Sequence, residues 1–137
     1  MVETNGRNFD LLTLGQVLLR LSPPDNERLS RGDTFVKQVG GAELNVAVGA
    51  ALLGLHTGVI SKLPAHDIGS FMKGKIRSFG VSDDFFMYDQ SPAARVGIYY
   101  YENGAYPRKP KVIYDRNHSS FFSLDIDEIP EEVYTAS

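Results

Sequence analysis

The chain contains no cysteine and no tryptophan among its 137 residues. The lack of cysteine excludes a disulfide framework and thiolate chemistry. Its 17 acidic and 14 basic side chains give a net charge of -3, whereas a nucleic-acid-binding surface normally needs a basic stripe. No apolar run approaches the roughly 18 residues of a membrane-spanning helix, and the polar N-terminus lacks the apolar core of a signal peptide. We therefore expect a cytoplasmic α/β domain without a nucleic-acid or membrane partner.

The middle of the chain has the periodicity of a helix directly after a glycine pair. From Ala42, the residues Leu44, Val48 and Leu52 recur four positions apart and predict one buried helical face. Gly54 stands where a glycine typically ends a helix.

A second helix is predicted between Asp67, which can cap its start, and Gly80, which ends it. Short apolar runs on either side of the two helices predict strands. The alternation of strand and helix is typical of a parallel sheet covered by helices. The strands of this body are predicted at residues 9–14, 57–63 and 85–88.

The remaining extended pieces predict a separate small β-sheet. Residues 95–102 and 111–116 are rich in aromatics, and the loop between them has no room for a crossover helix, so they should pair antiparallel. Such a flap commonly encloses a small substrate. The predicted organisation is a single portion, 1–137, with lid strands at about 17–39 and 95–116 and an α/β body at about 9–15 and 42–90.

The glycine pair before the first helix is the first candidate site. Gly40 and Gly41 let the backbone approach a ligand, and the first helical N–H groups point toward it. Asn45, one turn further on, offers a donor and an acceptor suited to a polyhydroxylated molecule. The alternative is a tight strand-to-helix turn with Asn45 facing solvent.

The second candidate site lies on the lid strands. In a strand, Tyr114 and Arg116 point to one face while Asp115 points away. The planar fork of arginine suits a sugar-acid carboxylate, because it donates two parallel charge-assisted hydrogen bonds. The alternative is an exposed strand on which aromatics pack together and Arg116 pairs with Asp115 or another surface acid.

The stretch GGAELNVAVGAALLGLHTGVISKLPAHDIG resembles the first signature of the ribokinase-type (phosphofructokinase-B family) sugar kinases. Glu43 and Pro64 depart from that signature, but GGAE followed by Asn is typical of the 2-keto-3-deoxygluconate kinase branch. The opening LLTLGQVLLRLSPPD is also similar to that branch, which usually has Glu where this chain has Gln16. The resemblance covers nearly all of residues 9–120.

The resemblance implies a Rossmann-like ribokinase fold with a β-sheet lid. It implies an ATP- and Mg-dependent transfer of phosphate to the 6-hydroxyl of 2-keto-3-deoxygluconate, and a homo-oligomer formed through the lid. Tyr99 joins the candidates because it matches a substrate-contacting position of the branch. The residues that the resemblance assigns to substrate binding are Gly40, Gly41, Asn45, Tyr99, Tyr114 and Arg116.

The family's nucleotide turn, Gly-Ala-Gly-Asp, has no counterpart in these 137 residues. The resemblance places that turn and its catalytic Asp in the C-terminal half of longer proteins. We therefore expect a truncated N-terminal part with no catalytic residue, no metal ligand and no ATP-binding motif of its own. The alternatives are a non-catalytic module that binds a ligand or dimerises, and part of a kinase for another sugar.

Overall fold

The computed structural model describes residues 8–136. Within these residues, eight strands and two α-helices follow one another, and three short 3-10 turns come last. In chain order they are β1 (Leu11–Leu14), β2 (Leu18–Ser22), β3 (Val36–Gly40), α1 (Ala42–Leu52), β4 (Thr57–Pro64), α2 (Asp67–Ser78), β5 (Val81–Ser82), β6 (Phe86–Asp89), β7 (Gly97–Glu102) and β8 (Lys111–Asp115).

A parallel sheet built around β4 forms the body. Strand β1 pairs with one edge of β4, with Leu11 opposite Thr57, while β5 and then β6 pair along the other edge. Both helices pack on this sheet, and the largest fully buried side chains include Leu44, Leu63 and Met72. The parallel α/β body predicted from the sequence is confirmed.

A second, mixed sheet has the order β3-β2-β7-β8, and we call it the lid sheet. Its outer pairs are antiparallel, as predicted for β7 and β8, whereas its central pair, β2 and β7, is parallel. Tyr99 lies opposite Tyr114, so these two side chains share one face. Tyr100 and Glu102 alternate with Tyr99 and therefore occupy the other face.

Helix α1 buries fewer residues than its sequence pattern predicts. Leu44 and Ala47 are buried, but Leu52 is 79% exposed, so its placement on the buried face is wrong. The last turn instead packs on the core through Ala51, and Leu52 points away from it. Gly54 follows with φ of 92°, as expected for a helix-ending glycine.

Helix α2 is capped by His66 rather than by the predicted Asp67. The Nδ1 of His66 accepts a hydrogen bond of 3.3 Å from the N–H of Ile68, while Asp67 is already the first helical residue. The correction moves the cap by one position, because the ring nitrogen of histidine takes the acceptor role of a carboxylate. Gly80, with φ of 81°, ends the helix region as predicted.

The C-terminal segment packs against the body. The N–H of Phe9 donates to the carbonyl of Ala136 at 2.8 Å, and Val133 is buried against the same cluster. Lys62 of β4 forms an ion pair of 2.8 Å with Glu128. Among residues 8–136, no helix is long and apolar enough to cross a bilayer.

Candidate functional site

The glycine pair lies where the lid sheet meets α1. Gly41 has φ of 127°, which side chains rarely adopt, and a Cβ there would lie 2.7 Å from the carbonyl oxygen of Gln16. Gly40 lies against the hydroxyl of Tyr99, in space that a Cβ would fill. Gly41 therefore requires glycine, whereas a side chain at Gly40 would displace the hydroxyl of Tyr99.

The two lid tyrosines and Arg116 form one continuous group. The ring centroids of Tyr99 and Tyr114 are 6.0 Å apart, and the guanidinium of Arg116 lies 5.3 Å from the ring of Tyr114. Asp115 instead pairs with Arg95, whose Nη2 is 2.9 Å from its carboxylate. The alternative pairing of Arg116 with Asp115 is therefore not what the structure has.

A cavity of about 510 Å³ opens beside this group. Gly41 and Arg116 both line it, one residue from each candidate site of the sequence, whereas Gly40, Asn45, Tyr99 and Tyr114 are not among its lining residues. Asn45 is exposed on the first turns of α1, and its side chain has no hydrogen-bond partner among residues 8–136. The full lining is Leu14, Gly15, Gln16, Leu18, Gly41, Ala42, Glu43, Arg116, Phe121 and Phe122.

Gln16 links the walls of the cavity. Its Nε2 donates a 2.5 Å hydrogen bond to the hydroxyl of Ser119, which is buried. A Cβ at Gly97 would lie 2.5 Å from this Nε2 and 3.0 Å from the Cβ of Arg116. The glycine thus allows the start of β7, Gln16 and the backbone that carries Arg116 to lie close together.

Opposite charges face the cavity from its two sides. The carboxylate group of Glu43 packs over Gly15, and Arg116 lines the same space. A bound molecule that carries both a carboxylate and hydroxyl groups finds a cation and a hydrogen-bond acceptor here. The sequence marked Glu43 and Gln16 only as departures from a family pattern, and it gave no signal for Phe121 and Phe122.

Asp89, at the end of β6, holds the segments that flank the β7–β8 hairpin. The N–H of Ser91 at 2.9 Å and the hydroxyl of Ser120 at 2.8 Å both donate to its carboxylate and hold its pKa below the ordinary value. The hydroxyl of Ser120 also accepts from the N–H of Arg95, just before β7. One carboxylate therefore connects the body to both ends of the β7–β8 hairpin.

The described residues offer no ready site for a divalent metal. Among residues 8–136, no three histidine, aspartate or glutamate side chains converge as metal ligands. The residues present here therefore do not form a protein cage of their own for the Mg implied by the resemblance.

A parallel α/β body with a mixed lid sheet beside a glycine-capped helix defines the N-terminal portion of a carbohydrate kinase of the ribokinase fold. Residues 8–134 match the model of the pfkB family carbohydrate kinases, and the chain belongs to that family.

Comparison with individual proteins agrees with this assignment. The crystal structure of 2-dehydro-3-deoxygluconokinase from Thermotoga maritima superposes with a TM-score of 0.86 at 38% identity, over 92% of this chain and 38% of that one. The 2-dehydro-3-deoxygalactonokinase of Haloferax volcanii is 36% identical over 90% of this chain and 38% of its own length. A sugar kinase from Pyrococcus horikoshii in complex with ATP, with a TM-score of 0.77, 22% identity and coverage of 90% and 39%, shares the fold. The chain thus spans well under half the length of these relatives.

Proposed function

We propose that this chain is the sugar-acid-binding part of an ATP-dependent kinase that phosphorylates 2-keto-3-deoxygluconate at its 6-hydroxyl. The observation that carries the proposal is the position of Arg116, which lines the same cavity as Gly41 and is not neutralised by its neighbour Asp115. A neutral hexose has no group that needs this guanidinium.

Each candidate residue has a distinct role in the proposal. Arg116 binds the substrate carboxylate through two parallel hydrogen bonds. Tyr99 and Tyr114 present aromatic faces and hydroxyls on the inner face of the lid sheet. Gly41 lets the sugar chain approach the helix N-terminus, and Asn45 turns toward its hydroxyls when the ligand is present.

The galactonate epimer is a second candidate substrate. The Haloferax volcanii relative is named for 2-dehydro-3-deoxygalactonate, and its identity of 36% is close to the 38% of the gluconate kinase from Thermotoga maritima. Arg116 serves both acids equally, because the two epimers carry the same carboxylate. A residue that contacts the epimeric hydroxyl has to discriminate between them.

For the whole protein, the proposal includes a second half that binds the nucleotide. ATP supplies the transferred phosphate when it is bound, and the proposal places its binding and the catalytic Asp outside residues 8–136. The described residues bind the acceptor sugar acid, orient it and cover it with the lid sheet. As a module without turnover, the chain would retain sugar-acid binding but would not transfer phosphate.

A binding experiment and an activity experiment together test the proposal. Calorimetric titration of the 137-residue chain should give tighter binding of 2-keto-3-deoxygluconate than of D-ribose or D-fructose. A coupled ADP-release assay should show no sugar-dependent turnover by the chain alone. Phosphoryl transfer depends on groups that position and stabilise the phosphate, and the proposal places the ATP site and the catalytic Asp outside residues 8–136. Tighter binding of a neutral sugar would contradict the proposal that the substrate is a sugar acid. Turnover well above that of a blank without protein would contradict the proposal that catalysis needs residues outside 8–136.

A further inference from the structure

A second cavity, of about 510 Å³, lies at the outer end of the lid sheet. The loop between β2 and β3 forms one wall with Leu29, and the β7–β8 hairpin forms the other with Glu102 and Lys111. Glu102 occupies the face of the sheet opposite Tyr99, because side chains alternate along β7. This cavity is therefore separate from the one that contains Arg116.

The second cavity is basic in a chain whose net charge is -3. Four of its lining residues are cationic and only Glu102 is acidic, so the positive charges exceed the negative by three. The four cations are Arg28, Arg108, Lys109 and Lys111. So many like charges repel each other unless an anion is present, which gives this surface a preference for negatively charged ligands.

Two sets of hydrogen bonds hold the walls of the cavity in place. Glu102 is 5% exposed, and its carboxylate accepts a 2.8 Å hydrogen bond from the N–H of Leu29. The Nη2 of Arg108 donates to the carbonyls of Asn26 and Asn103, at 2.5 Å and 3.3 Å. The loop and the hairpin are thus tied to each other on both sides of the opening.

Glu102 forms an ion pair with Arg108 but no hydrogen bond to it. The Nε of Arg108 is 3.8 Å from Oε2 of Glu102, beyond hydrogen-bonding distance, and it has no acceptor among residues 8–136. A buried carboxylate that already accepts a backbone N–H is only partly available to a second donor. The Nε of Arg108 is itself buried, so the charge available to a ligand is that of the exposed Arg28, Lys109 and Lys111.

We propose that this cavity binds a small polyanion that carries two or more linked phosphates. A single phosphate, with a charge of about -2, leaves part of the positive excess unmatched. A triphosphate group matches it more fully, and arginine forks together with lysine ammonium groups are the usual ligands of such a group. The source is either a nucleoside triphosphate or an inorganic polyphosphate.

Calorimetric titration with sodium triphosphate tests the proposal on the 137-residue chain. We expect saturable binding that weakens as salt is raised, and a roughly tenfold or greater loss in the variant Lys109→Gln/Lys111→Gln. The matched control, Lys73→Gln/Lys75→Gln, removes the same charge from α2 and should change the affinity by less than about twofold. Circular dichroism verifies that both variants keep the fold.

Further titrations identify the ligand and the site. Equal affinity for ATP and triphosphate would mean that only phosphates are recognised, whereas tighter ATP binding would add a contact to the nucleoside. Saturating 2-keto-3-deoxygluconate should leave triphosphate binding unchanged, because the two cavities lie on opposite faces of the lid sheet. Displacement by the sugar acid, equal losses in the two double variants, or no saturation up to about 10 mM triphosphate would overturn the proposal.

Discussion

The hydroxyl of Tyr99 lies against the backbone of Gly40, in the space that a β-carbon at position 40 would occupy. Tyr99 belongs to β7 and Gly40 ends β3, so the contact spans the lid sheet across β2. The same tyrosine faces Tyr114 on β8. One side chain therefore connects the glycine turn before α1 to the strand that leads to Arg116.

Replacement of Arg116 separates carboxylate recognition from general binding. Arg116→Ala should cost about 2–5 kcal/mol in binding of 2-keto-3-deoxygluconate if the contact is desolvated, and little for D-ribose. Arg116→Lys keeps the charge but not the planar fork, so its affinity for the sugar acid should lie between those of the unmodified chain and Arg116→Ala. Calorimetric titration of both ligands measures the difference. Equal losses for acid and neutral sugar would contradict the role given to the guanidinium.

Gly97→Ala should destabilise the fold and weaken sugar-acid binding. The added methyl group would lie 2.7 Å from Cδ2 of Leu18 and 3.0 Å from Cβ of Arg116, which costs about 1–3 kcal/mol in the free energy of unfolding. Gly74→Ala is the matched control, because a Cβ at this exposed position of α2 meets nothing within 4 Å. It should stabilise the chain by about 0.5–1 kcal/mol. Urea unfolding followed by circular dichroism measures the free energy of unfolding of both variants. An unchanged value for Gly97→Ala would show that β7 and β2 can move apart at no cost and would contradict the prediction.

Asp89 should make stability depend on pH in the acid range. Its pKa is lower in the folded state, so the unfolded chain binds more protons and stability rises with pH. The contribution is complete above the ordinary carboxyl pKa and is lost as pH falls through the lower, folded value. Asp89→Asn should therefore destabilise the chain by about 1 kcal/mol at pH 7, and by progressively less in acid. Urea unfolding from pH 7 to pH 3, with exposed Asp33→Asn as the control, measures this, and a pH-independent difference would contradict it.

We predict that the chain forms homo-oligomers through its lid sheet, residues 17–39 and 95–116. Strands β3 and β8 are the edges of that sheet, and Val36 and Val112 on them are 42% and 43% exposed. Val36→Ser/Val112→Ser should shift sedimentation toward the monomer, while Val46→Ser, which changes a 58% exposed residue of α1, should not. A monomer at all micromolar concentrations of the unmodified chain would defeat the prediction.

Strong local signals made most of the fold predictable. The period of α1 and the glycines after both helices identified the helices, and alternating apolar runs located the strands. Strand β5 has only Val81 and Ser82, too few residues to show a period, and the sequence does not predict it. The parallel pairing of β2 with β7 is not predicted either, because the two strands are far apart in sequence and no short loop between them indicates that they pair.

Residues of the candidate site could be predicted only where they belong to a short local motif. Backbone geometry and strand-face chemistry made Gly41 and Arg116 candidates beside a tight turn and an exposed strand as alternatives, and only the family resemblance favoured them as site residues. The structure places both at one cavity. The hydrogen bond from Gln16 to Ser119 was not predictable, because these residues are far apart in sequence and come together only when both sheets have formed. Whether Asn45 contacts a ligand stays a prediction.

The parallel pairing of Leu18 with Gly97 sets an order for folding during synthesis. The β2–β3 hairpin emerges from the ribosome early and can pair at once, whereas the other edge of β2 has no partner until β7 has been translated. Until then the apolar β2 remains open to pairing with another nascent chain. Slow translation between residues 40 and 97 would therefore lengthen this exposure, and the yield of native protein should depend on codon usage in that interval.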